Sequence, residues 1–220
     1  MNDTTYTQAL DVAAGLFLLA AVGMLSRRAI TSMIRLFAVQ GLALCAMVTV
    51  LGIHQHSVEL LAVAGGLGVL RAGVLPKLTR RALGAAPEER RETSSAINIA
   101  GSLLASAALV LLAYAVTRPL IALTPSAATA MLPVTVSVVL IGLFALATRH
   151  NALSQIVGFL LLDNGITATA FLATSGVPII AELGVSFDVL LVVVVLQVLT
   201  VRLRTTFGTT NLDGLRELRD

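Results

Sequence analysis

The chain has 220 residues, of which 57% are hydrophobic and 12% charged. A soluble domain averages about 25% charged residues, and no polar stretch here is long enough to form a separate water-exposed catalytic domain. The net charge of +3 would suggest nucleic-acid binding only if topology were ignored: the basic excess follows the rule that places Lys and Arg on the cytoplasmic side of a membrane.

In chain order, apolar stretches over 9–25, 36–53, 58–76, 95–117, 131–148, 153–174 and 178–201 predict seven membrane-spanning helices. Each is near the ~17–25 residues that cross the hydrocarbon core. Strands are excluded because Leu103–Ala113 and Leu190–Leu196 lack the alternation of a lipid-facing barrel. The predicted fold is an all-α polytopic membrane protein. The first stretch follows Asp3 and Asp11 rather than a basic segment, which predicts a retained first span and no cleaved signal peptide.

The linker 26–35 holds Arg27, Arg28 and Arg35. The linker 77–94 holds Lys77, Arg80, Arg81, Arg90 and Arg91. Arg149 lies in the short linker near 149–152, and Arg202, Arg204, Arg216 and Arg219 lie in the tail. Thirteen of the fifteen basic residues therefore fall on alternate connections. The external connections carry Arg118 with Glu59 and Glu182, and 118–130 reads as an outer loop with Pro119 and Pro125. This predicts the N-terminus outside and the C-terminus in the cytoplasm. Residues 1–94 form a three-helix part ending in the cytoplasmic loop 77–94, 95–204 a four-helix part, and 205–220 a cytoplasmic tail.

Cys45 is a single thiol within a span and reads as a small apolar residue. His54, His56 and His150 stand at span ends. The i,i+2 spacing of His54 and His56 does not share a helix face, which disfavours a metal or haem site. Both fit an interfacial position, with a proton-handling role in the loop as the other reading.

Charge at bilayer depth costs ~2.5–3.5 kcal/mol on insertion scales, so Arg71, Asp163 and Asp188 are the candidate functional residues. At 1.5 Å per residue, Asp163 on the sixth span and Asp188 on the seventh each lie ~15 Å deep, near the midplane. A buried carboxylate can exchange protons near neutral pH. Asn164 and Gln197 are polar neighbours for a relay. The other reading of the acids is interhelical packing through hydrogen bonds. Arg71 sits among Gly65, Gly66, Gly68 and Gly73 and shortly before Pro76. The glycines allow close helix approach or a locally unwound backbone, and the proline can kink the helix. Arg71 reads as a buried counter-ion, the alternative being a side chain that snorkels to the surface. No catalytic, cofactor-binding or metal-ligating set is expected in the chain.

Three patches resemble the hydrogenase-4 component E family. They are Arg149–Gly165, with Asn151-Ala152-Leu153, Gln155-Ile156-Val157-Gly158 and Asp163-Asn164-Gly165; Glu182–Asp188, with Glu182-Leu183-Gly184 before Asp188; and the tail Asn211–Leu218. Arg71, five positions before Pro76, also fits, where the family can carry Lys. Asp163 stands where Glu is common, giving a shorter reach. The region 149–204 is similar to the small K-type subunit of respiratory complex I and of multisubunit cation/proton antiporters, which carries two buried glutamates in its proton path. Asp163 and Asp188 stand about one helical turn from those positions.

The resemblance implies a non-catalytic subunit of a membrane-bound nickel–iron hydrogenase or formate-hydrogenlyase-like complex, in a bacterial or archaeal cytoplasmic (inner) membrane. The nickel–iron centre and iron–sulfur clusters would belong to a soluble hydrogenase module, and antiporter-like membrane subunits and lipid would flank the chain. Asp163, Asp188, Arg71, Asn164 and Gln197 would then serve proton or cation movement. A structural spacer that holds antiporter-like subunits in register is the alternative, and a free-standing carrier is disfavoured because no inverted repeat is evident.

Overall fold

The computed structural model describes residues 2–84, 98–149 and 152–174. Helix α1 is Asp3–Leu25, α2 is Ile30–His54 and α3 is Val58–Leu67. A π-helical segment, Gly68–Val74, joins α3 without a break to α4, Leu75–Gly84. Then come α5 (Ile99–Leu123), the single turn α6 (Ala127–Ala130), α7 (Leu132–Thr148) and α8 (Ala152–Thr174). The described residues contain helices and no strand.

Among the described residues, six helices are long and apolar enough to cross a membrane: Asp3–Leu25, Ile30–His54, Val58–Arg81, Ile99–Leu123, Ala127–Thr148 and Ser154–Thr174. They correspond in order to the first six predicted spans, and they make the chain a multi-pass membrane protein. The seventh expected span, 178–201, lies outside the described residues, as do the tail and most of the loop 77–94.

Several boundaries differ from the sequence reading. Helix α1 begins at Asp3 rather than near residue 9, because Thr4, Thr5, Thr7 and Gln8 tolerate helix at an aqueous end. Helix α2 begins at Ile30, so the first linker shrinks and Arg35 becomes an exposed helical residue. Helix α5 runs to Leu123, so the expected outer loop 118–130 is mostly helical and Arg118 and Pro119 belong to α5. Pro119 cannot donate to the carbonyl four residues back, yet the helix continues past it to Leu123.

The centre of the bundle is built by α1, α2, α7 and α8: α1 lies along α2 and touches α7, α7 lies along α8, and α2 reaches α8. Leu10, Phe17, Ile34, Phe37, Leu44, Val138 and Ile141 fill the space between them. Helix α5 is peripheral. Its buried residues Ser102, Ser106, Ala113 and Thr117 form one stripe of small side chains, while Leu104, Leu111, Leu112 and Leu123 are exposed. In lipid such exposure is expected, because helix association there rests on close packing of small residues rather than on hydrophobic burial.

Two glycines set the closest approach. A Cβ on Gly142 would lie 2.6 Å from the Leu162 Cα, and one on Gly165 would lie 2.8 Å from the Val139 backbone nitrogen. The backbones of α7 and α8 therefore touch on either side of Asp163 and Asn164. On α2, a Cβ at Gly41 would meet the carbonyl carbon and oxygen of Arg71 at 3.0 Å, so α2 presses on the π segment.

Candidate functional site

In a bilayer, buried polar groups need partners inside the protein. Many hydroxyls here find one in the preceding turn of their own helix. Thr49 donates to the Cys45 carbonyl at 2.8 Å, Thr79 to Leu75 at 2.9 Å, Ser137 to Pro133 at 2.6 Å and Thr169 to Gly165 at 2.8 Å. Cys45 donates to the Ala64 carbonyl at 3.1 Å. Such bonds satisfy a hydroxyl and carry no further message.

One cluster is different, because its partners come from three separate elements. The Arg71 guanidinium, from the π segment, donates through one terminal nitrogen to the Asp163 carboxylate, with which it forms a salt bridge. The same nitrogen donates to the Asn164 amide oxygen at 2.5 Å. The other terminal nitrogen donates to the Thr167 hydroxyl at 2.8 Å. Asn164 in turn donates its Nδ2 to Gln40 Oε1 on α2 at 3.0 Å. Positions 163, 164 and 167 share one side of α8, since residues three and four apart are neighbours on a helix surface. Asp163 lies midway along α8.

The π segment shapes this meeting. Its wider i→i+5 turn inserts one residue relative to an α-helix, about 100° of rotation at 3.6 residues per turn. Arg71 occupies the middle of that insertion. Gly68 leaves room for Cys45, whose Sγ would lie 3.1 Å from an added Cβ. Of the two properties expected of the glycine-rich stretch, close contact occurs at Gly68, whereas Gly65, Gly66 and Gly73 face open space, and the backbone is widened into a π-helix rather than unwound.

Among the described residues the cluster holds one cation and one anion, joined by a hydrogen bond. A lone buried charge is costly, and a pair survives when the remaining hydrogen-bonding capacity is also used. Arg71 is 1% exposed, Asn164 and Gln40 are 0% exposed, and Asp163 keeps 8%. All four are buried. Of the two ionisable groups, a carboxyl is the type that can change its charge, whereas a guanidinium stays charged.

The structure therefore joins three predicted residues, Arg71, Asp163 and Asn164. It gives Asp163 an arginine partner; the sequence reading had placed Asp163 and Asp188 at similar depth without fixing any contact between them. Asp188 and Gln197 lie outside the described residues. Gln40 and Thr167 were missed. Gln40 is an amide in the middle of an apolar stretch, and Thr167 is one helical turn after Asp163, which are the signals that could have found them. No group of three or more His, Cys, Asp or Glu residues suited to a metal occurs among the described residues.

Arg149, expected in a solvated linker, is buried at 4% exposure. Its guanidinium donates to the carbonyls of Leu25 at 3.1 Å and Arg27 at 3.2 Å, where α1 ends and its last carbonyls lack helical partners. Gln155 donates to the Arg149 carbonyl at 2.9 Å. His54 stacks on Tyr6, with ring centroids 3.9 Å apart. His56 has a positive φ of 52° in the turn between α2 and α3.

Comparison with known proteins places this architecture among relatives. The chain is 48% identical to the uncharacterized protein Rv0085 of Mycobacterium tuberculosis over 220 residues, the full length of both chains. It is 24% identical to hydrogenase-4 component E of Escherichia coli K12 over 206 residues, 94% of this chain and 95% of that one. Hydrogenase-4 component E of Shigella flexneri matches to the same degree. No family model and no solved structure matches the chain.

Proposed function

The chain belongs to the family of the Mycobacterium tuberculosis protein Rv0085, and for this member we propose the role of a non-catalytic membrane subunit of a hydrogenase-4-like redox complex, in which the buried charge pair serves proton or cation movement. The similarity to hydrogenase-4 component E, spread over nearly the whole of both chains, supports the kind of complex. The single observation that carries the ionic role is the salt bridge between Arg71 and Asp163 in the middle of otherwise apolar helices. Asp163 is the proton- or cation-exchanging group. Arg71, permanently charged, sets the field in which it does so. Asn164 and Thr167 fix the guanidinium. Asp188 and Gln197 extend the path on the seventh span. Electron transfer and hydrogen chemistry, with the nickel–iron centre and iron–sulfur clusters, belong to a soluble partner module, and antiporter-like subunits flank the chain in a bacterial or archaeal inner membrane.

A structural spacer is the second reading. It is favoured by the placement of Asp163, Asn164 and Thr167 on one helix, so that Arg71 also ties the π segment to α8.

The test is Asp163→Asn in the complex isolated in mild detergent, with its partners identified and its metals assayed, and then returned to sealed vesicles. The relay reading expects normal partners and metals, with redox-driven ion uptake reduced about tenfold or more, in line with the weight of a lost proton-transfer group. Normal uptake by the assembled variant would contradict it. Loss of assembly in both Asp163→Asn and Asp163→Glu would favour the spacer.

A further inference from the structure

We infer that Gln40, an uncharged residue, is a positioning residue for the charge pair, acting through Asn164. The inference rests on the ion-movement reading and adds to it the residue that decides how the pair is held.

A side-chain amide can face two ways. Asn164 has an oxygen that accepts and a nitrogen that donates, at nearly the same places in space. Arg71 offers only donors, so Asn164 must turn its oxygen toward the guanidinium, as it does at 2.5 Å. The Asn164 nitrogen is then directed toward α2 and needs an acceptor. Gln40 Oε1 supplies it at 3.0 Å. With an apolar residue at position 40, that nitrogen would be buried without a partner, and the reason for Asn164 to hold its orientation would be halved.

A second, independent observation shows that Gln40 is held there for this contact. Gln40 is fully buried, and its Nε2 has no hydrogen-bond partner among the described residues. An unsatisfied buried donor is unfavourable, and a flip of the Gln40 amide would end it by giving Nε2 the Asn164 oxygen. That flip would require Asn164 to turn its own nitrogen toward Arg71, donor against donor. The positive charge of Arg71 thus propagates through two amides and leaves the mismatch at the far end, on Gln40. The neighbouring residue reinforces the link, because Gly41 lets α2 approach the Arg71 backbone to within van der Waals contact. Gln40 and Gly41 together fix both the side chain and the backbone of Arg71 from α2.

The experiment compares Gln40→Met, Gln40→Asn and Gln40→Glu with the unaltered complex and with Asp163→Asn, reading redox-driven ion uptake by sealed vesicles as a function of pH. Gln40→Met removes the acceptor at similar volume. Gln40→Asn withdraws it by one methylene. Gln40→Glu restores an acceptor toward Asn164 and dispenses with the donor that has no partner. A positioning role expects uptake to fall about fivefold or more in Gln40→Met and by less in Gln40→Asn, with the pH of half-maximal uptake displaced in both, and with more than about half of the uptake retained in Gln40→Glu. A packing role would lower the yield of assembled complex and leave the pH profile of what remains unmoved. An unmoved profile in Gln40→Asn overturns the inference even if Gln40→Met fails to assemble, and a Gln40→Glu complex as impaired as Gln40→Met also overturns it. If Asp163→Asn lowers uptake while the Gln40 variants behave normally, the inference fails and the ion-movement reading stands. Normal uptake in Asp163→Asn fails both.

Discussion

Among the described residues two arginines are buried, and they are used in different ways. Arg149 spends its guanidinium on backbone carbonyls at the end of α1. Arg71 gives its own to a carboxylate, an amide and a hydroxyl in mid-helix. The first contact exists wherever a helix ends without enough donors, and any suitably placed cation would serve, since helix C-termini carry partial negative charge. The second requires a particular acid on a particular turn of another helix. Burial alone therefore does not mark function. The nature of the partner separates the two, and the carboxylate that holds Arg71 is a group that can change its charge.

The largest effect should come from breaking the second contact on one side. Arg71→Met leaves Asp163 buried without its cation, a change expected to cost about 3–5 kcal/mol. Unfolding in mixed micelles should show it, and a loss comparable to that of a surface arginine would mean that the pair is not formed. Arg149→Met should be milder, about 1.5–3 kcal/mol for hydrogen bonds from a charged donor. Its sharper test is functional: the fraction that assembles should move ions normally. Impaired transport in a well-assembled Arg149→Met complex would erase the distinction between the two arginines.

Both the fold and the site were partly legible in the sequence. Six spans could be read because ~20 apolar residues in a row have few other fates. Their ends could not, since polar residues such as Thr4, Thr5 and Gln8 continue a helix into water as readily as they end it. Arg71 and Asp163 announced themselves as charges in apolar stretches, but pairing depends on helix rotation, which the spacing within each span leaves open. Gln40 and Thr167 were hidden by their ordinariness. Arg149 lies in the linker where it was expected, but its burial could not be read, because a basic residue at a span end looks the same whether it meets water or a helix end.

A smaller effect sharpens the comparison from the packing side. Gly165→Ala places a Cβ 2.8 Å from the Val139 backbone nitrogen and must push α7 and α8 apart, at about 1–3 kcal/mol. Because Gly165 follows Asn164 directly, transport should fall more than assembly does. The reverse order would indicate that the position of α8 matters for packing alone.

The central claim is that the Arg71–Asp163 pair is kept for its charge and not for its contribution to stability. The direct measurement is the double replacement Arg71→Gln, Asp163→Asn, which removes both charges and leaves no ion unpaired. Neutral replacement of a buried pair can be nearly neutral or even stabilising, so the complex should assemble with its partners and unfold within about 1 kcal/mol of the unaltered one. Redox-driven ion uptake by its vesicles should fall about tenfold or more. Full uptake by that neutral complex would contradict the account.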